Sequence, residues 1–465
     1  MILNSFLLDD IIQGTNGKLV YANATEFDGI STDTRENNKG KLFIALKGET
    51  YDAHDFLEKA IESGAAAILV HKNEKQLKTN SITVIKVEDT LLALQDLGRY
   101  WRKKHRAKVI ALTGTNGKTT TKESLSQILS EQFKVCVPKG SFNNHWGVPM
   151  SLLQLNSTHD FMISEMGMNH PGEIAVLCKI ALPDVTMVTN VGRGHLEGVG
   201  SVEGVAKEKQ EIYNHSPGSI KVFNLDNKYT KDMWNTFRQE KKYFTFSLKE
   251  DLADVYFSSV VSDTDGVTIS GAISGVKNTV TVNVFGIHNA YNLAAAAAAA
   301  LTCGMKPDAI WTALAKCHTI WGRNQWVNLA SGARVLFDAY NANPESMGAF
   351  LQNTGSMKTE GRKFYVLGDM LELGSFNDKE HLSVAESLQK IDFEKAYFIG
   401  ENGKLIKSAM SNKSVVISDT YKQNLAFELK SMLQPGDILF MKASRGIKLE
   451  NFLLDLDPQN FSLKK

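Results

Sequence analysis

The chain has 465 residues, enough for about two to four domains that each bury a core. Its 52 basic side chains nearly cancel its 51 acidic ones, leaving +1; this removes the basic excess of a nucleic-acid binder and the polybasic patch of a membrane-surface protein. Four cysteines without CxxC spacing, an N-terminus that carries acids where an export signal carries positive charge, and apolar runs short of the roughly 20 residues of a membrane span point to a cytoplasmic protein with no membrane span.

Residues 1–88 hold the strand-like runs "KLFIAL", "AAAILV" and "ITVIKV", with the helical stretch "AHDFLEKAIESGA" between the first two. A helical segment, "TLLALQDLGRYWRKKH", opens the region 89–319. Apolar strands then alternate with helices ("KVIALT", "DFMISEM", "DVTMVTNV", "SIKVFNL"), the pattern of a parallel sheet covered by helices. "DVYFSSVV", "GVTISGAI" and "NTVTVNVF" alternate polar and apolar residues, which predicts a small antiparallel addition. The alanine-rich "NAYNLAAAAAAALTCG" is a close-packing helix that stops near Gly304. Residues 320–465 form a third α/β unit, Rossmann-like, with strands "RVLFDAY", "KFYVLGD", "KAYFIG" and "DILFMKA". The fold class is therefore α/β in three domains, the central one a mononucleotide-binding parallel sheet.

"TGTNGKTTT" follows "KVIAL" and precedes a helix. A strand, a glycine loop and a helix N-terminus together present backbone N–H groups to an anion. Gly114, Thr115, Asn116, Gly117 and Thr120 shape this cradle. Lys118 is placed for the outer phosphates of a nucleotide and the Thr119 hydroxyl for Mg²⁺. Leu112 stands where the general pattern has its first glycine, so the match is imperfect. A glycine turn with a surface lysine is the plainer alternative.

In an open parallel sheet, ligands gather at the carboxyl ends of the strands. "DFMIS" ends at Glu165, and "DVTMVTN" runs on to His195. Glu165 suits Mg²⁺ together with Thr119, and His195 suits a second metal or a phosphate. Asn143 and Asn144 in "KGSFNNHWGVP" read either as phosphate or substrate contacts or as turn residues.

"TGTNGKTT", "NN..GVP", "SEMGM", "TNVGRGHLEGVGS" and "FGIHNAYNLAAAAA" occur in an order that resembles the Mur ligases of peptidoglycan synthesis and the related folylpolyglutamate synthase. The resemblance covers almost the whole chain. It implies an ATP-dependent, ADP-forming amide ligase with two Mg²⁺ ions, in which a carboxylate becomes an acyl phosphate and an amine then displaces phosphate. It also implies a lysine carbamate that binds the second metal, since an ammonium cannot ligate Mg²⁺. "VAKEKQEIY" offers Lys207 and Lys209; the family's aromatic four residues on, here Tyr213, selects Lys209. Catalytic roles then fall to Lys118, His195, Lys209 and Arg323. The resemblance places Asn289 and Asn292 near the adenine, with helix capping as the plainer role. It places Arg323 of "WGRNQW" on the phosphates, although Trp321 stands where relatives often have proline, and Asp338 of "DAYNANPESM" on the ribose, with Asn341 and Asn343 nearby.

Within the family, three segments resemble the branch that adds D-alanyl-D-alanine to UDP-N-acetylmuramoyl-tripeptide. "STDTRENNKGKLFIALKGETYDAHDF" supplies Thr32, Asp33, Arg35, Lys47 and Gly48 for the uridine nucleotide. "DAYNANPESM" has that branch's form. "LGDMLELG" and "LFMKASRGIKLE" place Asp369, Ser444 and Arg445 beside the incoming dipeptide, where an arginine suits a carboxylate. A monomer is expected. The alternatives are a sister ligase adding lysine or diaminopimelate, a P-loop NTPase without ligase activity, and a non-catalytic nucleotide-binding regulator.

Overall fold

The computed structural model describes residues 4–72, 82–138, 140, 142–194, 196–240, 242–263, 266–410 and 414–458. It divides into two compact units: Met1–Thr113 with Leu129–Met187 and Gln210–Lys221, and Gly114–Ile128 with Val188–Lys209 and Val222–Lys465.

In the first unit a five-stranded sheet runs in the order Lys18–Tyr21, Thr83–Lys86, Ala67–Val70, Leu42–Ile44, Ile30–Ser31. Only the Lys18–Tyr21 pairing is antiparallel. The buried runs "LFI" and "AILV" are continuously apolar because both faces of these strands are covered. Helix Thr90–Lys104 is capped by Asp89, whose Oδ1 accepts from the Leu91 and Leu92 N–H groups at 2.7 and 2.8 Å. Its last turn carries Arg102, Lys103 and Lys104, as the helix dipole favours. Strands Lys108–Thr113 and Phe161–Glu165 pair in parallel with Glu165 opposite Leu112, so Glu165 ends its strand level with the start of the glycine loop.

In the second unit Val255–Ser262, Val267–Ile273 and Val276–Val282 form the expected antiparallel meander. Helix His288–Thr302 packs on the strands Tyr243–Ser247 and Val255–Ser262, and every alanine from Ala294 to Ala300 is buried. Methyl side chains there allow the closest approach of helix to sheet. A six-stranded sheet follows, in the order Gln325–Asn328, Arg334–Asp338, Ile438–Lys442, Lys363–Gly368, Lys395–Ile399, Val415–Ser418. The edge strand Gln325–Asn328 is antiparallel and the rest are parallel. Apolar clusters cover both of its faces. This register sets Asp338 opposite Lys442 at the carboxyl edge.

Among the described residues no helix is long and apolar enough to cross a membrane. Cys136, Cys178, Cys303 and Cys317 are free, and burial pushes the Cys136 and Cys178 thiols up to about 12, which keeps them protonated and inert.

Candidate active site

The glycine loop leaves strand Lys108–Thr113 and enters helix Lys118–Ser130. Gly117 has φ +79, and a side chain there would run into Asn292 Oδ1. Only glycine meets both demands. Asn292 is itself fixed by its Nδ2 donating to Asn289 Oδ1 at 2.9 Å, and Asn289 Nδ2 donates to the Phe285 carbonyl at 2.7 Å. Both asparagines are buried. The structure gives these amides to the underside of the loop and to the helix, since burial demands partners for them.

The loop is braced by the turn 189–192. Thr115 N–H donates to the Asn190 carbonyl at 3.0 Å, and Asn116 N–H donates to Asn190 Oδ1 at 2.9 Å. Thr189 Oγ1 and Asn190 Nδ2 donate back to the Asn116 carbonyl at 2.7 and 3.0 Å. Gly192 N–H donates to Thr115 Oγ1 at 2.9 Å. These bonds consume the N–H groups of Thr115 and Asn116; the helix start that follows carries Lys118, Thr119 and the half-buried Thr120. Lys118 Nζ folds over the loop and donates to the Gly114 and Thr115 carbonyls at 2.7 and 3.3 Å. Asn116, expected to touch nucleotide, is instead held at its side chain by Asn343 and Glu345.

Arg323 reaches the same place: its Nη2 donates to Thr119 Oγ1 at 3.3 Å, and its guanidinium lies 4.4 Å from the Tyr340 ring centroid. Lys209, on helix Val202–Asn214, is fully buried. Burial, with Lys118 nearby adding repulsion, holds its amine well below the usual lysine range. A neutral amine is the form that reacts with CO₂, so the residue fits a carbamate. Lys207 has no such burial. In the first unit the Glu165 carboxylate is buried and accepts from Asn143 Nδ2 at 3.0 Å, while Asn144 Oδ1 accepts from the Gly147 N–H at 2.9 Å, a turn role. His195 lies outside the described residues.

A cleft of ≈ 190 Å³ is lined by Lys118, Arg193, Asn343, Glu380, Ser444 and Arg445, among others. Its lining mixes the cations Lys118, Arg193 and Arg445 with the carboxylates Glu372 and Glu380 and the apolar Leu371, Leu373 and Phe376. Arg193 Nη1 stands 3.7 Å from Glu380 Oε1, and the Arg445 guanidinium lies 5.4 Å from the Trp321 ring centroid. The arrangement suits a small zwitterion lying beside a phosphate site.

Three family models match in succession: "Mur ligase family, catalytic domain" over 26–102, "Mur ligase middle domain" over 112–300, and "Mur ligase, glutamate ligase domain" over 322–445. The UDP-N-acetylmuramoyl-tripeptide–D-alanyl-D-alanine ligase of Bacillus subtilis is 34% identical over 451 residues, 96% of each chain. The chain belongs to the Mur ligase family. A crystal structure of MurF from Acinetobacter baumannii superposes with a TM-score of 0.87 at 30% identity, covering 98% of this chain and 99% of that one. The MurF ligase of Thermotoga maritima, solved with ADP, superposes with a TM-score of 0.79 at 27% identity, covering 92% and 97%.

Several residues carried over from the family have protein partners in this ligase. Asp338, expected at a ribose, is buried against Lys442 Nζ at 2.6 Å and accepts the Asn324 N–H at 3.2 Å. Asp369 accepts the Glu401 N–H at 2.8 Å and Asn402 Nδ2 at 3.0 Å, so it ties down a loop and does not face the cleft. Ser444 Oγ accepts the Leu371 N–H at 3.0 Å. In each case a buried oxygen at a strand end takes the nearest donor. In the first unit Asp33 is paired with the exposed Arg35 at 2.6 Å, which lowers the Asp33 carboxyl through that hydrogen bond. The backbones of Lys47 and Asp52 pair in an isolated antiparallel β-bridge, with Gly48 in the tight turn between them, and Thr32 adjoins Asp33. The residues that sequence reasoning passed over are Thr189, Asn190, Glu345 and Lys442. "TNVGRGHLEGVGS" marks the family but gives no sign that Thr189 and Asn190 brace the loop, and nothing in a single sequence pairs Lys442 with Asp338.

Proposed function

We propose that this Mur ligase joins D-alanyl-D-alanine to UDP-N-acetylmuramoyl-tripeptide with ATP, giving ADP, phosphate and the pentapeptide nucleotide from which peptidoglycan is built. The observation that carries the chemistry is the Arg323–Thr119 bond, which sets a guanidinium from the linker on the hydroxyl that opens the phosphate helix. The substrate pair rests on the name of the Bacillus subtilis relative, matched over 96% of both chains. ATP supplies the γ-phosphoryl group that turns the tripeptide carboxylate into an acyl phosphate. Lys118 and the N–H groups of Lys118, Thr119 and Thr120 hold the phosphates, and Arg323 offsets negative charge that builds during transfer. Mg²⁺ belongs with the oxygen donors Thr119 and Glu165, and a second ion with His195 and a carbamate on Lys209; hard oxygen donors suit that metal. The uridine nucleotide is assigned to Thr32, Asp33, Arg35 and Lys47, and the dipeptide to the cleft bounded by Arg445. The domain limits 1–88, 89–319 and 320–465, a monomeric state and a cytoplasmic location belong to the same proposal.

Phosphate release and product mass, measured with ATP, Mg²⁺ and UDP-N-acetylmuramoyl-tripeptide carrying either diaminopimelate or lysine, test it. Release that depends on D-alanyl-D-alanine with a pentapeptide product is the expected result. Release with single amino acids would move the chain to a sister ligase, and release that ignores every amine would overturn ligation.

A further inference from the structure

Glu345 sits in the first turn of helix Pro344–Ser356, two residues after Asn343, which caps that helix in a reciprocal box with Ser346. Proline at the first helical position and the capping box make this turn rigid. Its carboxylate is spent on the nucleotide loop and its brace. Glu345 Oε2 accepts Asn116 Nδ2 at 3.0 Å, and Oε1 accepts the Arg193 N–H. Gly192 lies so close that any side chain there would run into the carboxylate. Asn343 Nδ2 donates to Asn116 Oδ1 at 2.7 Å, so the Asn116 amide is gripped at both ends.

We propose that Glu345 is a positioning residue: it docks the start of this helix onto Asn116 and Arg193 and so sets the glycine loop for phosphoryl transfer. The inference rests on the ligase reading for its effect on turnover, and on geometry alone for the clamp. The Asn116 side chain turns an amide N–H to Glu345 and its oxygen to Asn343, so the helix start supplies the complementary acceptor and donor. Hydrogen bonds to a charged group are the stronger kind, and losing one leaves a polar group without its partner. The phosphates themselves are held by the helix start at Lys118. Releasing the clamp therefore lowers kcat and leaves the KM for ATP nearly unchanged.

The test exchanges donor and acceptor. In Glu345→Gln one amide donor must face either Asn116 Nδ2 or the Arg193 N–H, and kcat should fall about tenfold. In Asn116→Asp two carboxylates face each other, and kcat should fall roughly 100-fold. In the double variant the new amide donates to the new carboxylate and its oxygen still accepts the Arg193 N–H, so kcat should return to within about tenfold of wild type. The KM for ATP should stay within about threefold in Glu345→Gln, which leaves the loop's own residues unchanged. Hydrogen exchange of the loop amides 114–117 should quicken in both single variants and return to the wild-type rate in the double. A double variant no better than the poorer single one, or recovery of the thermal midpoint without recovery of kcat, would overturn the proposal. Wild-type protein that fails to ligate would sink the assigned reaction, and the clamp would then be judged by hydrogen exchange, which needs no substrate.

Discussion

Arg323 donates to Thr119 over 3.3 Å although the two residues are 204 apart in sequence. The guanidinium is stacked on Tyr340, so its approach is directed from two sides. A lysine cannot reproduce both the stacking and the planar donor set. Arg323→Lys should lower kcat roughly 100-fold or more while the protein unfolds at its usual temperature, the size expected for losing one charge-stabilising group. Steady-state kinetics with a melting curve check it; a loss under about threefold would remove Arg323 from the transfer step.

Lys209 is predicted to make stability depend on pH. The unfolded chain keeps the proton on this lysine up to about the ordinary 10.5, whereas burial and Lys118 make the folded chain release it at lower pH. Between those values the unfolded state binds more protons, so the buried amine costs stability, and the cost shrinks as pH rises towards 10.5. In CO₂-free buffer, Lys209→Met should raise the urea midpoint at neutral pH, with the gain fading at alkaline pH. The same substitution should abolish ligation, and wild-type activity lost in CO₂-free buffer should return with bicarbonate.

Asp338 and Lys442 form a buried ion pair at 2.6 Å that also receives the Asn324 N–H next to Arg323. Removing one partner strands the other charge. Asp338→Asn or Lys442→Met should each cost about 3–5 kcal/mol in urea unfolding, and Asp338→Leu combined with Lys442→Met should recover much of it. Single-variant losses below about 1 kcal/mol would mean that water reaches the pair.

Gly117→Ala should disable nucleotide binding without a general loss of fold. The left-handed backbone alone costs a side chain about 1–2 kcal/mol, and Asn292 stands where the methyl would go. Calorimetric affinity for a non-hydrolysable ATP analogue should fall at least about tenfold. Unchanged affinity would show that the loop can shift away from Asn292.

Much of the architecture is legible in one sequence because it depends on neighbours in the chain. The apolar run of Lys108–Thr113 and the glycines of the loop are local choices of backbone conformation, and each sits where its pattern puts it. The edge strand Gln325–Asn328 escaped because its four residues, two of them polar, form a strand only by pairing with Arg334–Asp338. Glu165 and Arg323 can be singled out in one sequence because a strand end and a Gly-Arg linker leave a mark there.

By itself, then, the sequence determined the three-part α/β order, the strand–glycine loop–helix unit and the family. It could not assign partners to polar groups. Whether Asp338 faces a ligand or Lys442, and whether Asn116 reads nucleotide or Glu345, depends on which donor the tertiary fold brings within about 3 Å of a buried oxygen. A hydrogen bond is decided over a few tenths of an ångström, and hydrophobic periodicity places a residue only to a face of its element.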